Sequence, residues 1–123
     1  MPCKVLIVDD KAEVRRSLRA YLEQNPQVTV CGEAENGEIA IERVKELSPD
    51  AVILDWQMPV MNGLDAARHI AQIAPTTTMA LFTMHAGNGI HKSAEAVGIH
   101  RVFSKSDQLA HLVSWLSSVC AAR

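Results

Sequence analysis

Asp9, Asp10 and Asp55 are the residues of this chain whose placement invites chemistry. The first two stand in VDDKAEV (8–14), at the end of an apolar run and just before a helical pattern. The third closes AVILD (51–55). Two other polar residues occupy comparable places: Thr83 closes TMALFT (78–83) and Lys105 closes RVFSK (101–105). Carboxylates gathered on one rim repel one another, and desolvation raises the cost, unless a lysine or a cation neutralises them. A hard divalent ion held by carboxylate oxygens, one backbone carbonyl and waters is the simplest remedy, and Mg²⁺ suits it. Each residue also has a plainer account. Asp10 with Glu13 is a passable capping box, and Asp9 beside it favours the helix dipole. Lys105 can mark a strand edge, and Thr83 can be an ordinary strand residue. Asp55 resists this treatment, because it follows the most buried strand and precedes a loop rather than a helix. A capping role and a metal role for Asp10 are compatible, and both stay open.

The elements that must position these residues follow from hydrophobic periodicity, which switches repeatedly between strand and helix. VLIV (5–8), VTVCGEA (28–34), AVILD (51–55), TMALFT (78–83) and RVFSK (101–105) read as strands. Three of them are nearly continuous apolar runs, as suits strands buried on both faces of a parallel sheet. Helical stripes lie between: Val14, Leu18, Tyr21 and Leu22; Ala40, Val44 and Leu47; Ala66, Ile70 and Ile73; Ile90, Ala94 and Val97, with Gly98 as C-cap. A fifth stripe, Leu109, Leu112, Val113, Leu116 and Cys120, opens at Ser106 or Asp107. The expected class is α/β, a single doubly wound (βα)5 domain over residues 1–123, with a parallel sheet and helices on both faces. In such a sheet the crevice lies beyond the carboxyl ends of the strands, so the five polar residues are expected to converge there.

Bulk properties exclude several classes. The chain has 123 residues and a formal net charge of −2, with no Lys/Arg run, so nothing marks a nucleic-acid surface. Apolar stretches such as AVIL and MALF are strand-sized, so no membrane span is expected. The start, MPCKVLIVDD, enters a strand at once and lacks the regions of a secretory signal; a cytoplasmic protein with its natural N-terminus is expected. Cys3, Cys31 and Cys120 form no CxxC, and the five histidines show no ligand spacing, so the cysteines are expected as reduced thiols filling the core.

The pattern resembles the receiver domain of bacterial two-component response regulators. The resemblance rests on the DD of VDD, the block LDWQMPVMNG with Asp55, Met58, Pro59 and Gly63, then LFTMHA with Thr83 and FSKS with Lys105. It spans essentially the whole chain and implies a flavodoxin-like five-stranded order, 2-1-3-4-5. It further implies a phosphorylation switch rather than a turnover enzyme. Asp55 is then the phosphoacceptor, served by a sensor histidine kinase, a phosphotransfer protein or a small phosphodonor. The resemblance assigns Mg²⁺ to Asp10, Asp55 and the backbone carbonyl of Gln57, with Asp9 holding waters of the metal shell. Lys105 pairs with one phosphoryl oxygen and Thr83 moves to bond another. The added charge then biases the face of helix four, strand five and helix five, through which a homodimer is also implied.

The sequence departs from the family in places. An aromatic residue is usual where Val102 stands, and alternation turns Phe103 to the opposite face. Proline commonly follows the lysine, with a cis bond; Ser106 stands there, so either a trans bond or a strained cis bond is expected. Met84 follows Thr83 where a small residue is common, and its bulk narrows access to Asp55. Trp56 reads as a lid or exposed residue and a convenient optical reporter, and His85 as a loop histidine near the site.

Rival readings fare worse. A nucleotide binder needs a phosphate cradle after the first strand, where DDKAEV repels phosphate. An aspartyl phosphatase wants a second acid at position 57, which is glutamine. A degenerate receiver, an interaction module that keeps the fold without switching, is the serious alternative. Output stays open: TMH after strand four resembles receivers that precede DNA-binding domains, and a stand-alone receiver is equally compatible.

Overall fold

A computed structural model of the chain describes residues 2–84, 86–106 and 109–122. Strand and helix alternate as β1 (Cys3–Val8), α1 (Ala12–Leu22), β2 (Val28–Ala34), α2 (Gly37–Leu47), β3 (Ala51–Leu54), α3 (Gly63–Ile73), β4 (Thr78–Thr83), α4 (Asn88–Ala96), β5 (Arg101–Ser104) and α5 (Leu109–Ala121). Every strand pairing is parallel, and the order is β2-β1-β3-β4-β5. This is the α/β class and the 2-1-3-4-5 order expected from the sequence.

Continuous apolar strands serve two cores because successive side chains point to opposite faces. Val5, Ile7, Ala51, Ile53, Ala80 and Phe82 pack on one face with Leu18 and Leu22 of α1 and Leu112 and Leu116 of α5. Leu6, Val8, Val52, Leu54, Met79 and Leu81 pack on the other against α2, α3 and α4. Each fully buried Leu or Ile contributes about 1.5–3 kcal/mol, so the central strands anchor the rim they carry. Among the described residues no helix is long and apolar enough to cross a membrane.

Three local expectations change. Tyr21 and Ile73 are 38% and 44% exposed. Each lies at the margin of its stripe, three residues after the core residue Leu18 or Ile70, and turns away from the sheet. The Asp10–Glu13 capping box does not form: α1 has Lys11 at its N-cap and no side-chain cap bond. Of the two residues expected to open α5, Asp107 lies outside the described residues, as does His85, and the Ser106 hydroxyl is paired with that of Ser104 at 2.7 Å. Finally, Cys3 and Cys120 are joined in a disulfide, their Cα atoms 5.5 Å apart, and Cys31 alone keeps a thiol. A helix that follows a parallel strand runs back toward the strands' amino ends, which brings the last turn of α5 to the start of β1. Spacing along the chain gives no hint of that meeting.

Candidate functional site

Sheet register assembles the site. Val8 lies opposite Leu54 on adjacent strands, so Asp9 and Asp55 are the next residues at one level, and the Asp55 N–H donates to the Val8 carbonyl at 2.9 Å. This is where strand order reverses and a crevice opens. Asp9 and Asp55 are only 1% and 7% exposed, whereas Asp10 faces solvent. Carboxylate oxygens of the three lie within 4.8 Å of one another. Lys105, just past β5, reaches across β4, and its Nζ donates to Asp9 Oδ2 at 2.6 Å and Asp55 Oδ2 at 3.1 Å. Thr83 is buried at the end of β4, and its carbonyl accepts from the Lys105 N–H at 2.9 Å. Gln57 sits exposed in the loop after β3. The polar strand ends expected to converge do so.

Burial pushes the Asp55 carboxyl above its usual range, and the neighbouring charge of Asp9 adds to this, against the Lys105 ammonium and the Trp56 N–H. For Lys105, burial works to lower the pKa, but its bonds to Asp9 and Asp55 and their charges prevail and hold it above its ordinary value. Three carboxylates against one ammonium leave two negative charges in the crevice, which a divalent cation balances. The donors are hard oxygens, the set that Mg²⁺ or Ca²⁺ prefers. The residues present fit such an ion.

A second layer that the sequence reading missed holds Asp9. Its Oδ1 accepts from the Lys11 N–H at 2.9 Å and its backbone carbonyl from Arg15 Nη1 at 2.6 Å. Arg15 is oriented in turn by Glu33, whose other oxygen takes Arg19 at 2.8 Å. Burial raises the Glu33 pKa, but the hydrogen bonds and charges of Arg19 and Arg15 outweigh it and bring the carboxyl below its usual range. The only sequence signal was an arginine pair one turn apart in α1, facing an acid on β2.

The loop after Asp55 is fixed by its backbone. The Trp56 N–H donates to Asp55 Oδ1 at 2.8 Å, and the Gly63 N–H to the Trp56 carbonyl at 2.7 Å. A Cβ at Gly63 would lie 2.0 Å from the Asp55 carbonyl oxygen, so no other residue fits without moving the acid's own backbone. Further along, the Gly37 N–H donates to the Met61 carbonyl at 2.9 Å, and Asn62 caps α3 by accepting from the Asp65 N–H at 2.9 Å. Val60 sits in the left-handed region at φ 69°, a conformation costly for a β-branched residue. Trp56, expected as a lid or exposed residue, is half-buried against the core.

The family departures also have structural answers. Among the described residues there is no cis peptide, so the Lys105–Ser106 bond is trans. Val102 is half-buried against the α2–α4 core, while Phe103 is buried on the other face, its ring 5.7 Å from that of Trp115. Met84 is 59% exposed.

Comparison with known proteins agrees with this geometry. The response regulator receiver domain family matches residues 5–117. Transcriptional regulatory protein YdfI of Bacillus subtilis is 45% identical over 80 residues, 65% of this chain and 38% of that protein. A protein-glutamate methylesterase/protein-glutamine glutaminase of Pseudomonas syringae is 43% identical over 79 residues, 64% of this chain and 20% of that protein. The matched stretch thus spans well under half the length of these relatives. A LuxR-family two-component response regulator from Aurantimonas superimposes with a TM-score of 0.92 at 31% identity, covering 100% of this chain and 88% of the other. The receiver domain of NarL from Mycobacterium tuberculosis gives 0.91 at 26% identity, covering 99% and 98%. With its acid-lined crevice at the switch point of a 2-1-3-4-5 sheet, the chain belongs to the response regulator receiver domain family, whose general function is that of a phosphoacceptor switch.

Proposed function

We propose that Asp55 is the phosphoacceptor of this receiver and that its phosphorylation carries a signal from a sensor histidine kinase or phosphotransfer protein in the cytoplasm. The observation that carries the reading is the shared ammonium: Lys105 Nζ lies 2.6 Å from Asp9 and 3.1 Å from Asp55, inside a cluster of three carboxylates. An Asp55 oxygen attacks phosphorus, the bond to the donor's nitrogen or oxygen breaks, and its electron pair leaves with the donor. Asp10, Asp55 and the Gln57 carbonyl would hold Mg²⁺, with Asp9 on its waters, and the ion would supply charge neutralisation for the transferring group. Lys105 exchanges Asp55 for a phosphoryl oxygen while keeping Asp9, and the Thr83 hydroxyl donates to another oxygen. The product carries roughly −1.5 to −2 charge, enough to reorganise the loops that follow β4 and β5. That change is read on the α4–β5–α5 face, by a partner or by a second copy. The chain itself catalyses at most its own phosphorylation and dephosphorylation.

The test is the intact mass after incubation with Mg²⁺ and acetyl phosphate, beside Asp55→Asn and a chelator control. A gain of one phosphoryl group, absent from both controls, is expected. No gain, with phosphorylated kinase also failing as donor, overturns the reading. A phosphorylation-independent interaction module is the second reading, favoured by Val102 at the usual aromatic position and by the packing of Phe103 on the opposite face. A partner bound equally by wild type and Asp55→Asn would select it. The exposed Met84 side chain beside Thr83 is expected to slow hydrolysis of the phosphoryl group. Met84→Ala should shorten the lifetime of the phosphorylated form several-fold by mass spectrometry.

A further inference from the structure

At the amino ends of the strands, on the edge opposite the carboxylates, lies a chemical group that the switch does not use. The Cys3–Cys120 disulfide joins the first residue of β1 to the last turn of α5 across a sequence separation of 117. It borders a groove of about 490 Å³ lined also by Pro2, Pro26, Gln27 and Ala121. The two sulfurs are not equivalent. Cys3 is 1% exposed and set in the sheet, with its N–H on the Gln27 carbonyl at 2.8 Å. Cys120 is half-buried, on the last turn of a helix. We propose that this bond is a thiol–disulfide exchange site for a dithiol reductant, with Cys120 as the attacked sulfur.

Exchange proceeds by attack of a thiolate on one sulfur, through a mixed disulfide, and is governed by access. One thiolate of the reductant bonds to Cys120 Sγ from the groove. The Cys3–Cys120 bond breaks, and its electron pair goes to Cys3 Sγ, which takes up a proton. The second thiol of the reductant loses its proton to solvent and attacks its own partner sulfur, expelling the Cys120 thiolate, which is protonated in turn. The dithiol is oxidised to a disulfide and the protein bond is reduced to two thiols. The chemistry runs backward with an oxidised partner of the same class.

The bond is removable because the fold does not need it. Leu112 and Leu116 fix α5 to the sheet through fully buried contacts, so reduction frees the last turn of the helix and leaves the rest docked. That helix follows the loop carrying Lys105, so exchange alters the restraint on an element downstream of the switch. Cys31 is an internal control. Burial holds its thiol above the ordinary range, and it reacts slowly by comparison.

The oxidised protein, without denaturant, is incubated with dithiothreitol, and separately with glutathione, then alkylated and mapped by mass. Expected are rapid alkylation of Cys120 and slower alkylation of the buried Cys3 after dithiothreitol, a glutathione adduct on Cys120, and a melting temperature lowered by roughly 10 °C in a protein that stays folded. Cys120→Ser and Cys3→Ala should each melt with the reduced form and be insensitive to reductant. A bond that yields only in denaturant, an adduct on Cys3, or thiols that stay reduced in oxidised glutathione would each overturn the proposal.

Discussion

The loops after β3 and β4 leave the same rim on neighbouring strands, and the bonds of their described residues differ. After β3, the loop is tied by the Gly63 N–H to Trp56, by the Gly37 N–H to Met61, and by the Asn62 cap on α3. After β4, Met84 is exposed, and the N-cap of α4 is Gly87, with no side-chain cap bond. The acid proposed to meet a phosphodonor is held by backbone geometry. Beside the threonine proposed to respond, the described residues offer an exposed side chain and a glycine N-cap, features of segments that can move in switching. A receiver needs both: a nucleophile whose position is set in advance, and a neighbour that a single added charge can shift.

The comparison can be broken most sharply at Gly63. Gly63→Ala sets a methyl carbon 2.0 Å from the Asp55 carbonyl oxygen, and is expected to cost about 3 kcal/mol or more in urea unfolding and to abolish phosphorylation. Asn62→Ala removes only the α3 cap and should cost about 1 kcal/mol, with Asp55 still accepting phosphate. Glu33→Gln probes the buttress behind Asp9. Because the folded pKa of Glu33 lies below its ordinary 4.5, its contribution is complete above that value and is lost as pH falls through the folded one. Wild type should therefore be the more stable at pH 7 by under about 1 kcal/mol, as befits a part-exposed pair, and its advantage should begin to fall below pH 4.5 and vanish below the folded pKa, as read by thermal melting. The smallest effect is expected at Gly87, where a new side chain meets nothing within 4 Å. Gly87→Ser supplies the missing cap and should stabilise by a few tenths of a kcal/mol. If hydrogen exchange in α4 slows in that variant while α3 is unchanged, the contrast between the loops is real.

What the sequence disclosed and what it hid divide along the same physical line. Strand ends were legible because apolar runs stop at Asp9, Asp55, Thr83 and Lys105, and parallel register carries those stops to one edge. The family block located the loop, but its glycine was visible only as a letter; the close approach to the Asp55 carbonyl needs coordinates. Periodicity overreached at Tyr21 and Ile73, since spacing marks a stripe without saying where its margin falls. Asp10 and Glu13 have cap spacing, but the bond at the entrance to α1 is made by Asp9 to the Lys11 N–H. Arg15 escaped notice because it serves a backbone carbonyl, an acceptor every residue owns. The pairing of Cys3 with Cys120 joins residues 117 apart, beyond the reach of any local pattern.

The nearness of those two cysteines also bears on how the domain combines with others. Positions 3 and 120, with Cα atoms 5.5 Å apart, place chain entry and chain exit side by side, at the pole of the molecule away from the acids. A unit built this way can be spliced ahead of, behind or within another protein without covering its crevice or stretching its sheet. Relatives in which the matching stretch covers 38% of one protein and 20% of another are compatible with that plug-like geometry.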